Sequence, residues 1–407
     1  MPTNWRPLTA QEEIYWRLTY NDQIHPVLAA EIKGDTTVAQ WQMALNAVQR
    51  RHPLLQVAVE MPGAGNKHRQ PTFVPRQDAI IPLRLVGGGG ERKIEEEIEY
   101  ELATPFLSGE APLARGALLH LPERSVFILA ISHSIADGIS AMFLIHDILA
   151  AVAGRSLEAL PMPRSAEELL GVVPSAPNQP AIEVNNVSAH AGRKPTVLLR
   201  SLSVEATRQL IAAARAHSST VHGALAAAFV LAMRKKAPHF HTAPVRMISP
   251  VNTRNELGAG NVLGLYFTSP QSSFEPASTK DFWDIASQAQ ADTAGSSNRS
   301  ALLEVTSIMQ SLAKAGLSNP GAAALLKGAF AMDILLTNLG RTPYASDFGD
   351  LTLETLWGPA VLPGLDETQA VGVVTTNDRL CLTLTSRHPI PQLLDSAIDI
   401  LTNQWKL

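Results

Sequence analysis

Residues 125–154, SVFILAISHSIADGISAMFLIHDILAAVAG, constrain the fold more than any other stretch of this chain. Their first part, 126–131, is a continuous apolar run of the kind a buried strand needs. From Ile139 the period changes. Ile139, Met142, Phe143, Ile145, Leu149 and Val152 share one broad helical face, and Gly154 supplies a C-terminal stop. Between strand and helix lies His133-Ser134-Ile135-Ala136-Asp137-Gly138. An imidazole on the loop leaving a buried strand stands on a rigid base, and such loops are where chemistry is usually placed. Asp137 falls at the helix N-terminus, where free backbone N–H groups stabilise a carboxylate. Gly138 removes the side chain where loop becomes helix.

The remaining chain can surround such a unit. A length of 407 residues allows two or three domains, and 45% apolar with 17% charged residues describes a chain able to bury a sizeable core. A net charge of −4 gives no electrostatic reason to expect nucleic acid or an anionic membrane as main partner. Cys381 is the single cysteine, which excludes an internal disulfide and fits a reducing compartment. The N-terminus lacks the basic-then-apolar pattern of a signal peptide. No window reaches the roughly eighteen apolar residues needed for a transmembrane helix. A cytoplasmic monomer is expected.

In chain order, Thr9 caps a helix running towards Thr19, 25–32 reads as a strand, and Thr37 opens a helix through Trp41, Leu45 and Val48. A strand at 56–61 follows. His52, before Pro53, reads as a helix-ending histidine rather than a catalytic one. The glycines at 87–90 lack the Lys-Ser/Thr of a phosphate-binding loop and read as a turn. Residues 91–107 form a Glu-rich helix with a solvated face. Prolines spread through Ser, Asn and Ala mark 171–195 as a linker between a first lobe, 1–170, and a second, 196–407. The second half reads as strands at 196–202, 245–250, 331–337, 351–357, 370–376 and 380–386. Helices at 204–217, 221–235, 279–293 and 301–312 and a terminal one from Pro391 intervene. Strands and helices mix throughout, so the class is α/β or α+β.

Ser132-His133-Ser134-Ile135-Ala136-Asp137-Gly138 resembles the H-H-x-x-x-D-G motif of the superfamily of chloramphenicol acetyltransferases, condensation domains and polyketide-associated acyltransferases. The second His, the Asp and the Gly match; Ser132 replaces the first His. Ser249-Pro250-Val251-Asn252-Thr253-Arg254 resembles the P-V-N-x-R segment of condensation-type enzymes. Gly260-Asn261 with Gly264 resembles the G-N-x-x-G that follows, Thr337-Asn338-Leu339-Gly340 the S-N-x-G strand end, and Trp357-Gly358-Pro359 the G-P turn. Each is weak alone, but they occur in family order. The opening and the length resemble the stand-alone polyketide-associated acyltransferases.

The resemblance implies two chloramphenicol acetyltransferase-like lobes in a V-shaped arrangement, with an active-site channel between them. It implies His133 as the catalytic residue. Asp137 would be structural, paired with Arg254, with Ser132 and Gly138 supporting the same loop. The donor would be an acyl thioester, on the phosphopantetheine arm of an acyl carrier protein or on coenzyme A, with no tightly bound cofactor. The acceptor would be an alcohol, with an amine as the alternative. The residues permit this chemistry. A neutral imidazole can take a proton from an attacking hydroxyl, which is commonly worth ~10²–10⁴-fold. Thr337, Asn338 and nearby backbone N–H groups are candidate oxyanion donors. A metal reading is weaker: His133 and Asp137 span a loop and lack a third ligand at characteristic spacing. His146, His217, His222, His239 and His241 read as structural or surface residues. Ser134 and Ser140 lack a nucleophile elbow.

Overall fold

The computed structural model describes residues 6–61, 70–87, 93–107, 109–173, 194–276, 281–315, 328, 331–363 and 367–405. Most of the expected linker, 174–193, and most of the 87–90 glycines lie outside the described residues.

The apolar run forms strand Arg124–Ile131, and it is interior to a five-stranded sheet ordered Thr352–Ala360, Val27–Lys33, Arg124–Ile131, Ala114–Leu121, Leu83–Val86. Its register with Val27–Lys33 is antiparallel, from Val27 opposite Ala130 to Lys33 opposite Arg124. Residues on one face of these strands, including Leu28, Ala30, Phe127 and Leu129, pack under helices Val38–Arg51 and Gly138–Val152. The alternate residues, Val27, Ala29, Ile128 and Ala130, meet Ile98 and Leu102 of helix Ile94–Ala103. A strand covered on both faces has no polar side to show, which is why its sequence is continuously apolar.

Strand Ala114–Leu121 was not expected from sequence. Arg115, Gly116 and His120 break its apolar pattern. Gly116 is needed there because the Phe127 ring occupies the space a side chain would take, 2.8 Å from a Cβ.

The second half builds a six-stranded sheet ordered Gln271–Phe274, Val245–Ile248, Ile334–Arg341, Gln369–Thr376, Arg379–Ser386, Thr196–Ser201. Ile334–Arg341 runs parallel to both of its neighbours. The Ala-rich helix Val221–Lys236 lies in the core beneath this sheet, against Phe282–Thr293 and Leu393–Thr402. Gly223 permits the approach, since a Cβ there would lie 2.5 Å from the Ala286 carbonyl oxygen. The fold is thus mixed α/β with two lobes.

One segment departs from the division at 196. Strand Thr352–Ala360 belongs by sequence to the second half, yet it pairs antiparallel with Val27–Lys33 and forms the edge of the first sheet. Its apolar residues Leu353 and Leu356 join the first core. Among the described residues no single helix is long and apolar enough to cross a membrane.

Candidate active site

The loop after Arg124–Ile131 is held at both ends. Ser132 N–H donates to the Leu113 carbonyl at 2.9 Å, and Ile135 N–H donates to the Ser132 carbonyl at 3.2 Å. The buried hydroxyls of Ser132 and Ser134 bond each other at 2.9 Å. Ser132, where the family pattern has its first His, is therefore satisfied inside the loop.

Asp137 caps helix Gly138–Val152, its Oδ1 accepting from Ser140 N–H at 2.7 Å. Arg254 grips the same carboxylate with both arms of its guanidinium, Nη1 to Oδ2 at 2.8 Å and Nη2 to Oδ1 at 3.0 Å. Tyr266 N–H donates to Oδ2 at 3.0 Å. Both side chains are nearly sealed, at 5% and 6% exposure. Burial pushes the Asp137 carboxyl up, but the charge and hydrogen bonds of Arg254, with the Ser140 and Tyr266 amides, bring it below its ordinary value. Ser140, which carried no sequence signal, completes the joint. Its hydroxyl accepts from Arg254 Nη2 at 2.6 Å and donates to the Gly264 carbonyl at 3.0 Å.

A two-stranded ribbon, Val251–Asn252 paired with Phe267–Thr268, brings Arg254 to the loop. Gly138 lies where the Ile334–Arg341 strand end meets the same loop: a Cβ there would come within 2.7 Å of Leu339 Cδ2 and 3.6 Å of Pro359 Cγ. Thr337 and Asn338 precede Leu339 on that strand, which turns out of register after Asn338. Asn338 Oδ1 accepts from Gly340 N–H at 2.8 Å, which leaves its amide N–H₂ as the end that can donate elsewhere.

His133 is half-buried; its Nδ1 is sealed from solvent with no close hydrogen-bond partner beyond the influence of the His133 and Ala136 backbone, which leaves Nε2 as the ring nitrogen not sealed in this way. Burial lowers its pKa from 6.5 to about 4, against the opposing pull of the Asp137 charge and the His133 and Ala136 backbone. Two rings that sequence reasoning did not single out touch it. Tyr15, from helix Ala10–Asp22, lies 4.5 Å away between centroids, and Phe267 lies at 5.5 Å. A second imidazole, His25, is fully buried nearby. It bonds the Glu101 carbonyl at 2.9 Å, and burial lowers its pKa to about 3. These neighbours come from chain positions far from the motif, so no local pattern points to them.

The other histidines lie elsewhere. His52 ends helix Val38–Arg51 and bonds Asp147 at 2.8 Å, beside Arg51 at 2.7 Å. His146 contacts the same carboxylate, His217 stacks on Trp283 at 4.2 Å, and His222 bonds the Ser249 hydroxyl at 2.9 Å.

The fold is that of the chloramphenicol acetyltransferase-like, condensation-domain proteins, and the loop resembles their H-H-x-x-x-D-G motif. Residues 191–260 match the family described as phthiocerol/phthiodiolone dimycocerosyl transferase C-terminus. The chain is similar in fold to polyketide synthase associated protein 5 from Mycobacterium tuberculosis, at 15% identity and a TM-score of 0.66 over 99% of this chain and 98% of that one. It is similar to the first condensation domain of the CDA synthetase, at 15% identity and a TM-score of 0.68 over 98% and 96%. It is also similar to F. sporotrichioides TRI101 complexed with coenzyme A and T-2, at 14% identity and a TM-score of 0.64 over 98% and 97%. In sequence, 130 residues are 28% identical to tyrocidine synthase 3 of Brevibacillus parabrevis, a match spanning 32% of this chain and 2% of that protein's length.

Proposed function

We propose that this chain is an acyltransferase that moves an acyl group from a thioester to a hydroxyl acceptor, with His133 as general base. The observation that carries the proposal is the placement of His133. The ring is half-buried with only its Nδ1 sealed, and it sits where the first helix meets the ribbon of Val251–Asn252 and Phe267–Thr268 from the second half.

In the proposed reaction, His133 Nε2 takes the acceptor's proton as the hydroxyl oxygen attacks the thioester carbonyl. A tetrahedral oxyanion forms and then collapses. The carbon–sulfur bond breaks, and the leaving thiolate recovers the proton from the imidazolium. The ring is neutral at pH 7 and can accept a proton. Its lowered basicity weakens it only at rest, because the negative charge that develops beside it favours the imidazolium. Thr337 and the Asn338 amide are the side chains proposed to face the oxyanion. Asp137, Arg254, Gly138 and Ser132 hold the loop without touching reacting atoms.

The donor is an acyl-coenzyme A or an acyl carrier protein bearing the acyl-phosphopantetheine arm, and either is a co-substrate rather than a resident cofactor. The match to the dimycocerosyl transferase family favours acyl transfer of this kind. The enzyme would work as a cytoplasmic monomer.

The test is intact-mass detection of acyl loss from a panel of acylated carrier proteins and coenzyme A thioesters, with candidate alcohols and amines present. His133→Ala should lower turnover by ~10²–10⁴-fold with the circular dichroism spectrum unchanged. Undiminished turnover would remove His133 from the mechanism. The matches to tyrocidine synthase 3 and to a condensation domain favour a second reading, amide formation. A hydroxyl and an amine version of one acceptor separate the two. The replacement at Ser132 also admits a carrier-protein-binding homologue without activity, in which the chain binds acyl carrier protein but no thioester in the panel is consumed.

A further inference from the structure

We propose that Tyr15 and Phe267 are positioning residues: they form an aromatic corner, one ring from each half of the chain, that orients the His133 imidazole and keeps water from one side of it. The proposal rests on the reading of His133 as the base and extends it to what holds that base in a working state.

The three ring centroids close an isosceles triangle, with Tyr15 to His133 at 4.5 Å, Phe267 to His133 at 5.5 Å and Tyr15 to Phe267 at 5.5 Å. Both aromatic rings therefore lie on the same side of the imidazole. They brace each other edge to face at 68°, a favoured geometry for an aromatic pair. Nε2, the ring nitrogen that is not sealed, is the one proposed for an acceptor. Tyr15 is buried, and its hydroxyl lies close enough to the Ser269 side chain to be stabilised by it. Ser269 and Phe267 belong to one short segment, so the second half approaches Tyr15 near its hydroxyl and meets it again at its ring. Gln11 adds a third tie from the first helix, its Nε2 donating to the Phe267 carbonyl at 3.4 Å.

The ribbon that carries Phe267 also delivers Arg254 to Asp137. Closing the ion pair and closing the corner are thus one event, and the base is complete only when the two halves meet. The charged and titratable groups around the ring are Asp137 with its partner Arg254, His25 across the paired strands, and the Tyr15 phenol, which burial keeps neutral. Asp137 favours the protonated ring. The low basicity of His133 therefore comes from lost water, and the corner supplies part of that loss.

The experiment follows the His133 ring by NMR titration, assigned with His133→Ala, in the wild type, Tyr15→Phe, Tyr15→Ala and Phe267→Ala. Half-exposed Phe267 is the substitution the fold tolerates better, so it carries the test if Tyr15→Ala unfolds. The wild-type ring should titrate near about 4. Opening the corner with Phe267→Ala or Tyr15→Ala should raise that midpoint by about one pH unit, towards the ordinary histidine value. Tyr15→Phe, which keeps the ring and loses only the hydroxyl, should leave it in place. The acid limb of kcat/KM should move in the same direction. An unshifted midpoint in folded Phe267→Ala overturns the proposal, as does a shift in Tyr15→Phe equal to that in Tyr15→Ala. A shifted ring in a protein that consumes no thioester would support the corner while discarding acyl transfer, so the two failures are distinguishable.

Discussion

At the scale of single residues, the Asp137–Arg254 pair carries the largest consequence. Both ions are buried and, among the described residues, each is the other's only opposite charge in direct contact, so removing one strands the other. Arg254→Ala should cost about 3–5 kcal/mol, read as a lowered melting temperature in calorimetry. Arg254→Lys keeps the charge but loses the two-armed grip and should fall between the two. An unaltered melting curve for Arg254→Ala would mean that the buried carboxylate is satisfied by the Ser140 and Tyr266 amides alone. The candidate site was only partly legible at this scale. His133, Asp137 and Gly138 stand in one short motif, and Arg254 follows from family order. Tyr15, Phe267, His25 and Ser140 do not, because what they do depends on where distant backbone brings them.

At the scale of elements, two glycines report how tightly the strands beside the site are fitted. A Cβ at Gly372, on strand Gln369–Thr376, would overlap the Pro359 backbone, whereas one at Gly138 would meet the movable tip of Leu339. Gly372→Ala should therefore destabilise by about 1–3 kcal/mol, and Gly138→Ala by clearly less, when both are compared in urea unfolding. Most elements were legible because their periodicity is strong. The switch at Ile139 marks strand against helix, and Thr9 and Thr37 form the expected caps, each in a reciprocal pair with the residue three further on. Strand Ala114–Leu121 was not, since its glycine and charged residues answer to neighbours rather than to strand propensity. Nor could the pairing of Thr352–Ala360 be read, because its partner Val27–Lys33 lies at the opposite end of the chain.

At the scale of the whole molecule, buried imidazoles set the response to acid. Burial lowers His25 to about 3, and His133 and His222 to about 4, from 6.5. Between about 6.5 and about 4 the unfolded chain then binds protons that the folded chain refuses, so stability is fully present above that window and falls as pH drops through it. Asp137, held below its ordinary value, adds a further loss only at still lower pH. Melting temperature measured from pH 7.5 down to 4.5 should decline across the histidine window, and His222→Gln should lessen the slope. The edge strand has a consequence for any attempt to divide the protein. A fragment ending before residue 196 would carry Val27–Lys33 with one flank of unsatisfied amides and carbonyls on a strand built for the interior, an invitation to self-association. Separately expressed pieces should therefore precipitate alone and dissolve only when co-produced.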